Sequence, residues 1–402
     1  MIARGSTDRG DRVPGFMADG KAKKIDDADL ASELARLRGV IDGVDGEILA
    51  ALNRRAVLVS EVGRVKASGS RSPVYVASRE RDLVADLTAT NSGPFPDAGI
   101  PHVFREIISA TRSLEERVRV AYLGPEGTFS HQAALVQFGS QVDLMPVRHM
   151  RDVFSAAERE EAHFGVIPVE NSIEGAINPT MDALMESDVV ICGEVMIEVS
   201  QNLLSQSGRL DDIHVVASIP QAVAQCRNWL AAKLPLAEVR DTPSTAAAAQ
   251  LAASDRSVAA IGSSVAADAY SLTFVARDIE DQRGNTTRFV VLGKETPEPS
   301  GNDMTSAAFT VRRDKAGALY SLLQPFAKND VNLAAVQSRP MKGKPWEYVF
   351  FIDMEGHETN EAVGKALDEA AGYAHSYKIL GSFPRATAAE SRRGQLGRRK
   401  PS

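Results

Sequence analysis

Three cations lie along one long helical pattern: Arg38, Arg55 and Lys66. Arg55 and Lys66 are 11 residues apart, about three turns, so they share a helix face. Arg38 lies 17 residues before Arg55, roughly 100° around a straight helix. One helix therefore does not aim all three at one spot, but two antiparallel copies would, with Arg38 supplied by the second. Cations so placed can clamp a small polyanion, arginine through paired N–H bonds to a carboxylate. The same residues on a solvated face would do no chemistry, and spacing alone leaves both readings open.

A second group of residues offers neutral donors. Tyr122-Leu-Gly-Pro-Glu-Gly-Thr-Phe-Ser-His131 follows a short strand and carries Thr128. Val166-Ile-Pro-Val-Glu-Asn-Ser-Ile-Glu-Gly175 carries Asn171 and Ser172, and Asp241-Thr-Pro-Ser-Thr245 carries Ser244 and Thr245. Asn285-Thr-Thr-Arg-Phe289 leads into a further strand. Loops of this kind can aim backbone N–H groups and hydroxyls at an anion. A Gly-Pro turn and a simple helix N-cap are the plainer explanations for two of them. No Ser-His-Asp set is evident, and His131 and His163 read as surface or core histidines. Cys192 and Cys226 read as two reduced thiols, and no Cys/His cluster suggests a metal.

The elements that must position these groups fall into three textures. Residues 28–66 read as one helix, with Leu30, Leu34, Leu37, Ile41, Val44, Ile48 and Leu52 in near-heptad spacing. At 1.5 Å per residue it would run about 58 Å, which suggests a bundle or an intertwined dimer. Gly69, Ser70, Ser72 and Pro73 break it, and helices follow at about 78–90 and 101–117. From residue 119, short β-rich runs alternate with Ala-rich helical runs, the pattern of an α/β module. After a Pro/Gly-rich linker at 296–302, the order is βαββαβ, a ferredoxin-like arrangement. In it, Gly317 opens a helix, and Asn332 and Ser338 lie by the next strand.

The length of 402 residues suits two or three domains, with 44% hydrophobic and 25% charged residues. The net charge of −7 hides basic ends: residues 1–24 carry +3 and 385–402 carry +5, leaving about −15 between them. An acidic body argues against general nucleic-acid binding. No apolar run is long enough to span a membrane, and no secretory h-region is evident, so a cytoplasmic protein is expected. Met17 follows a polar lead and is an alternative start.

The helical run resembles the all-helical chorismate mutase family. The resemblance rests on Leu37 to Leu49, Asn53-Arg-Arg-Ala, Val62-Gly-Arg-Val-Lys66, Tyr75-Val-Ala-Ser-Arg-Glu80, Phe104-Arg-Glu-Ile-Ile-Ser and Leu114-Glu115. It implies an intertwined helical dimer that rearranges chorismate to prephenate. Arg38 of the second subunit and Arg55 would clamp two carboxylates, and Lys66 would donate to the ether oxygen. Arg79 and Glu80 match site positions, Glu80 for the substrate hydroxyl. Val76 stands where some members carry Asp. Glu115 stands where some members carry Gln, so it must hold a proton to donate to the ether oxygen. Mutase activity is therefore expected to fall as pH rises from 5 to 9, and a Glu115→Gln profile to be flat. A flat wild-type profile, unchanged in Glu115→Gln, would contradict this.

The hydroxyl-rich segments together resemble prephenate dehydratase, which implies two α/β lobes like those of periplasmic binding proteins, with the site between them. Residues 119–195 with 275–297 would form one lobe and 196–274 the other. The family pattern makes Thr287 the acid assisting hydroxide loss, Arg288 a carboxylate ligand and Phe289 a pocket wall. Thr128, Asn171, Ser172, Ser244 and Thr245 would supply donors. Ala316-Gly-Ala-Leu-Tyr320 and Gln337-Ser-Arg-Pro340 resemble the ligand motifs of the ACT regulatory domain. That implies phenylalanine bound by Gly317, Ala318, Leu319, Asn332, Gln337, Ser338, Arg339 and Pro340 between paired domains.

The expected organisation is a basic lead (1–27), a mutase module (28–118), a dehydratase module (119–297), an ACT module (304–384) and a basic tail (385–402). Chorismate, prephenate and phenylalanine are the implied partners of a homodimer or tetramer, with no metal or organic cofactor. Arogenate is an alternative substrate for the second step. A ligand sensor reusing the same folds is the competing class. Thr287, Arg288, Phe289 and the mutase cations argue against it.

Overall fold

The computed structural model describes residues 27–68, 75, 77–311, 316–341 and 347–386. Val76, Met17, the break at 69–73, all but the last residue of the lead and all but the first two residues of the tail lie outside them.

Helix α1 spans Asp27–Ala67. Acidic Asp27 and Asp29 open it and basic Arg64 and Lys66 close it, each sign matching the helix dipole. Its near-heptad residues Leu30, Leu34, Leu37, Ile41, Val44 and Ile48 all remain over 40% exposed. Residues 27–55 form one compact unit and residues 56–386 belong to a second.

Within the second unit, α2 (Ala77–Ala89) and α3 (Ile100–Arg112) pack on each other. The expected third helix ends five residues early, because Ser113–Glu115 turn away from it before β1.

The α/β region holds two sheets. The first is built from β1 (Arg119–Leu123), β2 (Asp143–Val147), β3 (Phe164–Asn171), the short β4 (Gly175–Ala176) and β5 (Val190–Glu198). Helices α4 (Phe129–Phe138), α5 (Met150–Glu158) and α6 (Asn178–Glu186) lie between them in sequence. The second sheet uses β6 (Asn202–Ser205), β7 (Val215–Ser218), β8 (Glu238–Asp241), β9 (Val258–Gly262) and β10 (Thr273–Ala276). Its helices are α7 (Pro220–Gln225), α8 (Arg227–Lys233), α9 (Thr245–Ser254) and α10 (Val265–Ala269). Strand β11 (Thr286–Gly293) returns to the first sheet, between β3 and β5. The strand orders are β2-β1-β3-β11-β5 and β10-β6-β9-β7-β8.

The chain thus crosses between two lobes twice, as the sequence suggests, but at 199–201 and 277–285. The expected switch at residue 195 falls inside β5, which stays paired to β11 through Glu198 opposite Thr286. The expected return at 275 falls inside β10, which pairs with β6.

The third region is a four-stranded antiparallel sheet of β12 (Asp303–Val311), β13 (Leu333–Pro340), β14 (Tyr348–Glu355) and β15 (Ser376–Pro384). Helices α11 (Ala318–Lys328) and α12 (Glu361–Ala371) complete βαββαβ, with strand order β13-β14-β12-β15. Phe309, Ile352 and Met354 face these helices. Alternate residues Ala308, Val349 and Phe351 join Ile167, Leu184, Val290 and Leu292 in one core with the first lobe. The two modules are fused through apolar burial rather than strung on a linker. Gly381 makes this contact, since a Cβ there would stand 2.1 Å from the Ile191 carbonyl oxygen.

Candidate active sites

Strands β1, β2 and β3 are parallel, so Leu123 and Asn171 mark the carboxyl edge of the first sheet. β11 runs the other way and begins at that edge, with Thr287 opposite Asn171. In the second lobe β7, β8 and β9 are parallel, with carboxyl ends at Ser218, Asp241 and Gly262. The two carboxyl edges face each other, because hydrogen bonds join them. Ser263 Oγ donates to the Gly127 carbonyl at 2.7 Å, and Tyr270 Oη to that of Glu126 at 2.9 Å. Gln221 Nε2 donates to Glu174 Oε2 at 3.2 Å on another part of the cleft. Opposed carboxyl edges are where α/β folds place ligands.

Thr287 is 8% exposed and its neighbours fix what its hydroxyl can do. Asn171 Oδ1 accepts the backbone N–H groups of Ile173 and Glu174, at 3.0 and 3.1 Å. That Asx turn orients the amide, so its NH2 must point the other way. There Nδ2 donates to Thr287 Oγ1 and to Asn285 Oδ1, each at 2.8 Å. With its oxygen already accepting, the Thr287 hydroxyl keeps its own proton to donate. Asn285 is 5% exposed and was not picked out from sequence as a site residue. Its signal was its place two residues before Thr287, the spacing that returns a strand residue to the same face. Ser172 Oγ accepts the Thr286 N–H at 2.9 Å and so pins the same strand end.

Period-two alternation also corrects two expectations. Arg288 follows Thr287 and turns to the opposite side of the sheet. There Nε pairs with Glu194 at 2.8 Å and Nη1 pairs with Asp353 of β14. Burial alone would disfavour the guanidinium charge, and Asp353 and Glu194 more than offset it. Arg288 is thus held by protein carboxylates rather than facing the cleft. Phe289 returns to the face of Thr287 but lies 2% exposed among Tyr122, Val166 and Val195, filling the core rather than walling a pocket.

Thr128 and Ser244 are helix caps. Thr128 Oγ1 accepts the His131 N–H at 3.3 Å and donates to the Pro125 carbonyl at 3.0 Å, shaping the loop that starts α4. Ser244 Oγ accepts the Ala247 N–H at 3.0 Å and starts α9, with Thr245 buried beside it. Both caps still place the opening turns of helices at the carboxyl edges. Gly127 has φ +79°, and a Cβ there would meet Tyr270 at 2.8 Å, so this close crossing between lobes requires glycine.

His131 braces the same loop. Its Nδ1 accepts the Gly127 N–H at 3.1 Å and its ring stacks on Tyr122. Burial lowers its pKa, against a smaller opposing effect of Glu126. A lowered histidine pKa means that the unfolded chain takes up the proton first. Its stabilising contribution is complete above the ordinary value of about 6.5 and is lost as pH falls from there through the folded value. Protonation also removes the acceptor for Gly127. Dehydratase activity and thermal stability are expected to fall together below about pH 6.5, and His131→Asn to show a weaker dependence. A pH series of turnover and melting from 5 to 8 checks this.

In the helical region the last turn of α3 and the turn after it meet both neighbouring helices. Lys66 Nζ lies 2.8 Å from Glu115 Oε1, and Arg112 Nη1 lies 2.7 Å from Glu80 Oε1. Lys66, Glu80 and Glu115 are therefore brought to one end of the helical region. Lys66 thus holds one oxygen of the Glu115 carboxyl group. Arg79 is exposed on α2, Arg38 is exposed on α1 and Arg55 is half-buried.

In the third region, Gly317 takes φ +79° as the cap of α11, followed by Ala318 and the exposed Leu319. Asn332 is exposed just before edge strand β13, and Ser338 and Pro340 are exposed along it. Gln337 and Arg339 depart from the expected ligand role. They alternate to the face opposite Ser338, paired in register with Phe351 and Val349, which pack on the first lobe. Gln337 Oε1 is buried there without a hydrogen bond. Arg339 Nη1 donates to the Asn178 carbonyl at 2.6 Å and pairs with Asp182 at 2.9 Å, gripping the start of α6. Lys378 of β15 donates to the Leu184 carbonyl at 2.9 Å and to that of Ser187 at the other end of α6.

Cys192 and Cys226 are buried free thiols, and burial pushes both up to about 12, far from a reactive thiolate. Among the described residues no helix is long and apolar enough to cross a membrane.

Comparison with known proteins agrees with these three regions. Family models match for chorismate mutase type II over residues 37–116, prephenate dehydratase over 120–297 and the ACT domain over 306–372. The chain is 45% identical over 362 residues to a bifunctional chorismate mutase/prephenate dehydratase from Aquifex aeolicus, covering 89% of this chain and 99% of that one. It is 40% identical to the bifunctional protein of Stutzerimonas stutzeri, with the same coverage. A solved prephenate dehydratase from Arthrobacter aurescens, in complex with L-Phe, aligns with TM-score 0.62 at 32% identity, over 67% of this chain and 90% of that one. A structure described as a novel type of quorum quenching acylase, GqqA, aligns equally well at 27% identity, over 67% of this chain and 98% of that one. An aligned fold alone does not select an activity. Identity sustained through the helical, two-lobed and βαββαβ regions of relatives of nearly the same length does, and the chain belongs to the bifunctional chorismate mutase/prephenate dehydratase family.

Proposed function

We propose that one end of the chain rearranges chorismate to prephenate, and that the two-lobed cleft converts prephenate to phenylpyruvate, CO2 and water. The observation that carries the second step is the Thr287 hydroxyl, which accepts from Asn171 at 2.8 Å and keeps its proton for a leaving group. Decarboxylation sends the C–CO2 bonding pair into the ring, and the ring expels its hydroxyl as the aromatic system forms. The departing oxygen needs a proton, and Thr287 is the group placed to deliver or relay it. Asn171 holds the threonine, and Asn285 holds the asparagine. The substrate carboxylates are met by Ser172 and by the opening turns of α4 and α9, at Thr128 and at Ser244 and Thr245. Arg288 does not serve here, so this dianion site works largely with neutral donors.

The mutase step is pericyclic and needs no nucleophile, so binding and charge placement supply the catalysis. Arg38 of a second copy and Arg55 take the carboxylates, Lys66 the ether oxygen and Glu80 the ring hydroxyl, with Arg79 and Val76 flanking. The unpartnered apolar stripe of α1 supports the homodimer this requires. Phenylalanine binds at Gly317, Ala318, Leu319, Asn332, Ser338 and Pro340. Its inhibition travels through the fused seam, where Arg339 and Lys378 hold α6 and Asp353 holds the neighbour of Thr287. The setting is cytoplasmic.

The test is incubation of the full chain with chorismate, following prephenate and phenylpyruvate separately, with and without phenylalanine. Both products should appear in order, with phenylalanine slowing the second. Formation of neither would leave the fold as a ligand-binding sensor. Parallel assays with arogenate measure substrate preference.

A further inference from the structure

Arg112 belongs to no motif that suggested the mutase, yet it is the most buried cation among the described residues of the helical region. Its side chain is 6% exposed. Three groups hold it. Nη1 pairs with Glu80 at 2.7 Å, Nη2 donates to the Phe138 carbonyl at 2.8 Å, and the guanidinium lies 4.9 Å from the Tyr75 ring centre. These partners come from different modules. Glu80 is on α2. Phe138 ends α4, the first helix of the dehydratase lobe, whose carbonyl terminus favours a cation. Tyr75 packs on Phe138 and Phe164 and accepts from Gln137 Nε2 at 2.7 Å. A guanidinium suits this post because its planar fork reaches a carboxylate and a carbonyl at once while its face meets an aromatic ring.

We propose that Arg112 is a positioning residue for the mutase. It fixes the Glu80 carboxylate for the substrate hydroxyl, and it anchors that carboxylate to the dehydratase lobe. The inference rests on the mutase role of Glu80 given above. Its consequence is that this mutase site is completed by a neighbouring domain. Without Arg112 the half-buried Glu80 carboxylate would lose this ion pair, and with it the tie to the dehydratase lobe. A carboxylate misplaced by an ångström loses most of its binding contribution.

The experiment is a double-mutant cycle on the full chain, with Arg112→Leu, Glu80→Ala and the double variant, and with Arg112→Lys as the conservative arm. Chorismate consumption and, separately, dehydration of supplied prephenate are measured, with melting curves to confirm folding. Arg112→Leu should raise the mutase KM about 10-fold, leave dehydratase kcat within about twofold, and be partly rescued in Arg112→Lys. In the double variant the loss should match Glu80→Ala alone, because Arg112 acts through Glu80. A normal KM in Arg112→Leu, multiplying losses in the double variant, or equal loss of both activities would overturn the proposal. A normal mutase in Glu80→Ala would instead overturn the assigned role of Glu80. Should Arg112→Leu not fold, the Arg112→Lys cycle decides by the same criteria.

Discussion

Thr287→Ala is expected to lower dehydratase kcat by at least about 10²-fold, the range lost with a general acid–base group, while leaving chorismate consumption unchanged. The expectation follows from the hydrogen-bond directions around the hydroxyl. Asn171 can only donate to Thr287, because its own oxygen already accepts two backbone N–H groups. Thr287 must then aim its proton away from Asn171. Removing the hydroxyl deletes that proton and leaves the Asn171 NH2 short of one acceptor. Thr287→Ser keeps both functions and is expected to retain much of the rate. Steady-state assays with prephenate check this, and a near-normal rate in Thr287→Ala would remove the threonine from the mechanism.

Arg288→Met should destabilise the chain by about 3–5 kcal/mol, the range for breaking a buried ion pair from one side. Glu194 and Asp353 are 5% and 15% exposed and would be left facing each other without their shared cation. Glu194 also accepts the Ala386 N–H, and Asp353 also accepts the Ser306 hydroxyl, so neither can readily swing out to water. Denaturant unfolding measures the loss. Adding Glu194→Gln and Asp353→Asn to Arg288→Met should recover part of it, since no uncompensated charge then remains. Wild-type stability with a raised prephenate KM would instead restore Arg288 as a substrate ligand.

The three textures were legible because each rests on local periodicity: heptad-like steps in α1, short strands among Ala-rich helices, and βαββαβ at the end. Thr128 and Ser244 show where one local signal carries two readings. Each sits where a strand gives way to a helix, and the same position suits a cap and a ligand donor. Arg288 and Arg339 make ion pairs that the sequence did not show, for a different reason. Their neighbours Thr287 and Ser338 carry the motif, but adjacent strand residues face opposite sides, and each arginine turns toward the seam between modules. Their acidic partners Asp353 and Asp182 lie too far along the chain for spacing to reveal. Arg112 was invisible for the same reason, since its carbonyl partner on Phe138 exists only once α3 and α4 pack. The charge balance reads differently as well. Within the acidic body Arg112, Arg288 and Arg339 serve as internal ties, each paired with a protein carboxylate.

The central claim is that two separable sites on one chain act in sequence. Mixing Thr287→Ala with Lys66→Ala at neutral pH, with chorismate as the only substrate, tests it most directly. Thr287→Ala alone should stop at prephenate, Lys66→Ala alone should leave chorismate largely unconsumed, and the mixture should form phenylpyruvate. Phenylpyruvate at the wild-type rate from either variant alone, or a mixture no better than its parts, would contradict the account.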